Sequence, residues 1–170
     1  MWCSDRRRFL ALGAALAVPA LSGCGFQPLY GTGSPAAAMQ GKVAVDVIPG
    51  APGFAMRERL TERLGEADVP EYRLAITLAL DSRGAALTQQ DYTTRYNVTG
   101  VATFKLFPIG SDTPALSGQV TSFTGYSAPD SETASAFATR TAEQDAERRL
   151  AHTLADQIVL QIAVTAGDRP

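Results

Sequence analysis

Apolar and polar positions change period several times along this chain, and each change marks an element. Val43, Val45 and Val47 alternate with more polar neighbours, which predicts a strand over residues 42–48. Pro49-Gly50-Ala51-Pro52-Gly53 ends it, and Gly53 can open a helix. Residues 54–67 then switch to the helical period. Met56, Leu60 and Leu64 share one face, and Arg57, Glu58, Arg59, Glu62, Arg63 and Glu66 fill the remainder as a solvated side. Residues 72–80 return to alternation, with Tyr72, Leu74, Ile76, Leu78 and Leu80 on one face, and Ser82-Arg83-Gly84 reads as a loosening or turn. Residues 91–107 are a long run rich in β-branched and aromatic side chains. A loop dense in turn residues, 108–114, separates them from a further strand over 116–126. From Thr133 to about Ala163, Ala146, Leu150, Leu154, Ile158 and Ile162 form an i+4 ladder, with Asp130 or Ser131 as its cap.

The order is β-α-β-β-β-α. The last three strands follow one another through short connections, which favours an antiparallel meander. Two amphipathic helices need an apolar surface to bury against, and one face of a sheet supplies it. The expected fold is therefore α+β: a two-layer sandwich with a mainly antiparallel four-stranded sheet and two helices on one face. The opposite sheet face would carry Asn97, Thr99, Val101, Thr103 and Lys105. That set is half polar and β-branched, tolerable in water or against a partner.

The chain begins differently. Arg6-Arg7-Arg8 precedes an apolar run from Phe9 to Leu21, 13 residues long. This is shorter than the roughly 20 residues that span a bilayer as a helix, and it fits an export signal. The run ends in Leu21-Ser22-Gly23-Cys24, small residues before a single cysteine, the pattern of a lipoprotein processing site. The Cys24 thiol would take a diacylglyceryl group and become the mature N-terminus. Arg6-Arg7-Arg8-Phe9-Leu10 fits a twin-arginine signal, and a Sec signal also carries arginines, so both export routes stay open. Gly25 after the cysteine, where Asp resembles an inner-membrane retention signal, favours the outer membrane. The expected organisation is a signal peptide over 1–23, a lipidated tether over 24–41 rich in Gly, Pro, Ser and Ala, and one domain over 42–166. Phe26, Leu29 and Tyr30 are apolar for a tether and suit docking on the body or on a membrane surface.

Composition narrows the picture. Removing Arg6, Arg7, Arg8 and Asp5 with the signal leaves 12 basic and 16 acidic residues, a net charge of −4. A mildly acidic chain argues against nucleic-acid binding. Cys3 goes with the signal, so the mature chain keeps Cys24 alone and forms no internal disulfide. Catalytic chemistry finds little support. His152 is the only histidine and lies in the middle of the last helix, where a solvated helical residue is the simpler reading. No His/Cys/Asp cluster has metal-ligand spacing, and Gly31-Thr32-Gly33 opens no helix that would make it a phosphate loop. Asn97-Val98-Thr99 matches a glycosylation acceptor, which a bacterial lipoprotein signal makes meaningless. No enzyme activity, metal or cofactor is expected beyond the lipid on Cys24.

The processing site, the run Cys24-Gly25-Phe26-Gln27-Pro28-Leu29-Tyr30-Gly31 and the element order together resemble the LPS-assembly lipoprotein LptE family, in its alphaproteobacterial form. The resemblance implies a lipoprotein on the inner leaflet of the outer membrane that plugs the LPS-assembly β-barrel LptD, helps that barrel mature and binds lipopolysaccharide. It also implies a basic residue ahead of the last helix's Glu143-Gln144-Asp145, which here is Arg140. A second basic position in the family lies in the turn before the middle strand, where this chain has Gln89 and Gln90; Arg95 or Arg83 would have to substitute. Two other readings compete: an auxiliary lipoprotein of a lipid-transport ABC system, and a lipid-anchored hydrolase dependent on His152.

Overall fold

The computed structural model describes residue 31 and residues 34–87, 93–127 and 136–167. In chain order the elements are α1 (Pro35–Met39), β1 (Val43–Val45), α2 (Gly50–Leu64), β2 (Tyr72–Leu87), β3 (Thr93–Pro108), β4 (Leu116–Ser127) and α3 (Ala136–Gly167). One four-stranded sheet runs in the order β1-β2-β3-β4. The three long strands form the expected antiparallel meander. The short strand β1 pairs in parallel with β2, so the sheet is mixed. The cause is α2, a crossover helix that returns the chain to the end it left.

The core lies between the sheet and α2 with α3. Even-numbered positions of the meander face the helices: Leu74 of β2, and Val98, Ala102, Phe104 and Leu106 of β3, are all buried. Met56, Leu60 and Leu64 meet them from α2, and Ala146, Leu150, Leu154, Ile158 and Ile162 from α3. Both helical ladders legible in the sequence are therefore core. Leucine side chains of α3 pack closely on the sheet at Gly100, where an added Cβ would lie 2.8 Å from a Leu154 methyl and 3.1 Å from one of Leu150. A larger residue there must displace these leucine side chains.

Several boundaries differ from the periodicity, four of them for a clear local reason, while α2 also ends early at Leu64 before Gly65 and α3 runs on to Gly167. β1 is three residues long, and Val47 beyond it is 80 % exposed, because only Val43–Val45 find partners on β2. Helix α2 starts at Gly50, four residues early. Pro49 supplies an extended N-cap, and Pro52 sits in the first turn, where its missing N–H costs nothing. Gly53 is buried in that turn against the Ile48 carbonyl, only 2.6 Å from where a Cβ would be. β2 does not turn at Ser82-Arg83-Gly84 but runs on, pairing Ser82 with Val98, Arg83 with Asn97 and Gly84 with Tyr96. The glycine signal marks a register shift just after Gly84, a bulge rather than a turn. Finally, the second half of the expected tether carries α1. Ser34 caps it through Oγ, which accepts from the Ala37 N–H, and Met39 is packed in the core. The cap expected at Asp130 or Ser131 lies outside the described residues.

One charged cluster ties the two long helices together. Asp156 of α3 accepts from Arg59 through both oxygens (3.0 and 3.1 Å) and from Arg63 (2.8 Å), both on α2. Partial burial alone would raise the Asp156 carboxyl, but the two guanidiniums outweigh it and hold the group below its ordinary value. A depressed carboxylate stabilises the fold above its unfolded pKa and loses that contribution as pH falls through the folded one. Asp156→Asn should therefore cost about 1 kcal/mol at neutral pH, the scale of a half-exposed ion pair with charge-assisted bonds. The gap between variant and parent melting temperatures should close as pH drops below about 4. A gap that persists unchanged at pH 3 would mean the side chain acts through packing instead.

Candidate interaction surfaces

Strand alternation puts the odd-numbered positions of β2, β3 and β4 on the side away from the helices. Among the described residues no element covers that face. Its middle consists of two cross-strand rows without charge, Thr77–Thr103–Gln119 and Ala79–Val101–Thr121. Charges stand at its ends. Arg73 lies over the Phe107 ring at 4.6 Å and Lys105 stands near it, while Asp81 and Arg83 pair at the other end. Phe123, 77 % exposed, rises opposite Thr99. The expected set Asn97, Thr99, Val101, Thr103 and Lys105 is on this face, with all but Val101 exposed.

Strand β4 forms the outer edge of the sheet. Its 12 residues pair with β3 without a register shift, and they include no proline and no charged side chain. Free edges are usually blunted by lysine, proline or a bulge. The composition of residues 116–127 carried that signal in the sequence, but which strand lies at the edge is a fact of topology.

The three arginines singled out in the sequence gather at one end of the sheet, on two sides of it. Arg83 and Arg95 are exposed on the open face, Arg83 pairing with Asn97 in register and bonding Asp81 at 2.6 Å. Arg95 precedes Tyr96, which points the other way and stacks on Tyr126 with centroids 5.1 Å apart and planes 8° apart. Burial raises the Tyr126 hydroxyl above its usual pKa, with Ser82 opposing and Glu143 of α3 adding to the rise. Glu143 thus stands near this stack, and Arg140, one turn earlier, is exposed on the helix side. Arg140 is close enough to lower the Glu147 carboxyl, which burial and Glu143 push up. Arg140 therefore works against two nearby carboxylates, whereas Arg95 does not share that neighbourhood. Cys24, Gln89 and Gln90 lie outside the described residues. His152 is half-buried on α3, and no group of three metal-ligating side chains forms among the described residues.

The sequence matches the family model for LptE, lipopolysaccharide-assembly, over residues 41–162, most of the chain and nearly all of the body. The chain belongs to the LptE family. Solved lipoproteins share its fold. One from Caulobacter crescentus CB15 has a TM-score of 0.63 at 17% identity, covering 79% of this chain and 97% of that one. Rare lipoprotein B from Shewanella oneidensis gives 0.53 at 18% identity, with 73% and 93% covered. A minor lipoprotein from Acinetobacter baumannii gives 0.52 at 17%, with 76% and 96% covered. No curated protein matches the sequence. The LptE assignment makes the protein a lipopolysaccharide-assembly lipoprotein of the cell envelope.

Proposed function

We propose that this LptE family member is a non-enzymatic outer-membrane lipoprotein, lipidated on Cys24, that plugs the LptD barrel and assists lipopolysaccharide transport and insertion. The observation that carries the plug reading is the uncovered sheet face with its two charge-free rows of Thr, Ala, Val and Gln. Barrel lumens are lined with polar side chains, and a surface of hydroxyls, an amide and small apolar groups can pack there without burying an unpaired charge. The 16-residue strands β2 and β3 extend roughly 50 Å at about 3.3 Å per residue, longer than the ~30 Å hydrocarbon thickness a barrel spans. The same body can therefore contact a barrel wall over its full height.

Lipopolysaccharide is anionic, and guanidinium forks suit its phosphates. Arg95 and Arg140 are the proposed contacts, with Arg83 beside Arg95 on the same face. Arg95 is the stronger of the two on electrostatic grounds, because Arg140 stands beside Glu143 and Glu147.

The test is a tagged copy purified from detergent-solubilised outer membrane of its own host, with co-purifying proteins identified by mass spectrometry. A near-stoichiometric large β-barrel is expected. Recovery of an inner-membrane ABC transporter in its place would replace the plug reading with the auxiliary-lipoprotein one. In the same preparation Arg95→Glu is expected to lower co-purifying lipopolysaccharide more than Arg140→Glu does.

A further inference from the structure

Four cations of β2 and β3 stand on the open sheet face, Arg73, Arg83, Arg95 and Lys105, and the fold answers them unequally. Arg73 bonds Asp46 at 2.8 Å and lies over the Phe107 ring. Arg83 bonds Asp81 at 2.6 Å. Arg95 stands at the far end of the face, opposite Ser127. Lys105 is different. It lies inside the face, between Ala75 of β2 and Ser117 of β4, with Thr103 and Phe107 along its own strand. The next row, Thr77–Thr103–Gln119, holds no charge. Lys105 is exposed and makes no hydrogen bond or ion pair among the described residues. Ten residues of β3 separate it from Arg95, roughly 33 Å at about 3.3 Å per residue. One phosphate group cannot serve both.

We propose that Lys105 pairs with a carboxylate of the barrel wall, an Asp or Glu side chain that faces the lumen opposite the row Ala75–Lys105–Ser117. The inference rests on the plug reading, in which the wall covers the open face. A charge taken out of water without a partner is strongly unfavourable. Arg73 and Arg83 bring their own carboxylates into such a contact, and the two charge-free rows need none. Lys105 has none to bring, so the covering surface must supply it. The site has room for one, because its cross-strand neighbours are small and Ser117 offers a hydroxyl beside the ammonium. An ammonium is a compact point charge that one carboxylate can satisfy, and a barrel lumen is lined with polar side chains. The pair also sets the height of the plug. A surface of Thr, Ala, Val and Gln tolerates sliding along the strands, whereas one buried ion pair holds a single register.

The chain has two lysines, Lys42 and Lys105, and Lys42 is bonded to Glu71 at 2.9 Å. A carbodiimide, which joins an amine to a carboxylate in direct contact, therefore reads Lys105 almost alone. Histidine-tagged full-length chains would be expressed beside the untagged parent, which keeps the barrel supplied, and treated in isolated outer membranes. The tagged parent should give an adduct with the barrel whose linked peptide contains Lys105. Lys105→Arg should keep the barrel and lose that adduct. Lys105→Glu should lower the barrel recovered per tagged copy by roughly tenfold, because two carboxylates then face each other. Its melting temperature should match the parent's, since the exposed side chain has no partner within the described fold. Full recovery of the barrel with Lys105→Glu would overturn the carboxylate contact and leave the plug reading standing. Loss of co-purifying lipopolysaccharide with the barrel retained would also overturn it, by giving the site to a phosphate. Absence of any barrel with the tagged parent would overturn the plug reading and this inference with it.

Discussion

Cys24→Ala is expected to move this protein from the membrane fraction to the soluble fraction while leaving its unfolding transition where it was. Acyl chains contribute about 0.8 kcal/mol per buried CH₂, and even one chain gives only marginal binding, so two or more are needed for a stable anchor. Losing all of them removes the lipid anchor, so the shift is read on the chain expressed without its barrel partner. Among the described residues, no helix is long and apolar enough to hold the body in a bilayer. The fold should not notice. The described core is assembled from residues 39–163. Fractionation with a thermal melt of the soluble product checks both halves. A variant that remains with the membranes after a carbonate wash would show that something other than Cys24 holds the protein there. A melt lowered by several degrees would show that the N-terminus supports the body.

Phe104→Ala should be the most damaging single change to the fold. Phe104 is fully buried in the central strand, paired with Ile76 on one side and Gly118 on the other. Its ring occupies the space that Gly118 leaves empty, 2.8 Å from where a Cβ there would stand. Gly118 has no side chain that could move into the cavity the ring would vacate. Burying a phenylalanine and then deleting it costs about 3–5 kcal/mol, against a total stability of roughly 5–15 kcal/mol for a domain. For a body this size that corresponds to a fall in melting temperature of roughly 10–15 °C. Urea unfolding of the parent and variant, compared at the midpoint, gives the number. A loss under about 1 kcal/mol would mean that the sheet and α3 close over the gap.

Much of the architecture was legible because hydrophobic burial imposes its own period. Leu74, Leu150 and Met56 stand at spacings that only a strand or helix with one buried face can use, and all three are buried. The candidate lipoprotein signal is legible for a different reason: such a signal is read as a linear sequence before folding. Boundaries were less visible where pairing overrides local preference. Ser82-Arg83-Gly84 has the composition of a turn, yet β3 offers a ladder partner to each of the three, and their hydrogen bonds outweigh a weak propensity. Pro52 and Gly53 look like breakers, yet in the first turn of α2 one needs no donor and the other fits against Ile48.

The sequence by itself determined the element types, the two core ladders, the charge balance and the candidate anchor, because each depends on neighbours within a few residues. It also held the three arginines, but not their relation. Only the tertiary structure decided that Arg83 and Arg95 share a face, that Arg140 stands across the sheet beside Glu143 and Glu147, and that β4 is the free edge. Strand order and the sides of a sheet are set by pairing between residues far apart in the chain, and no local period records which partner a strand will find.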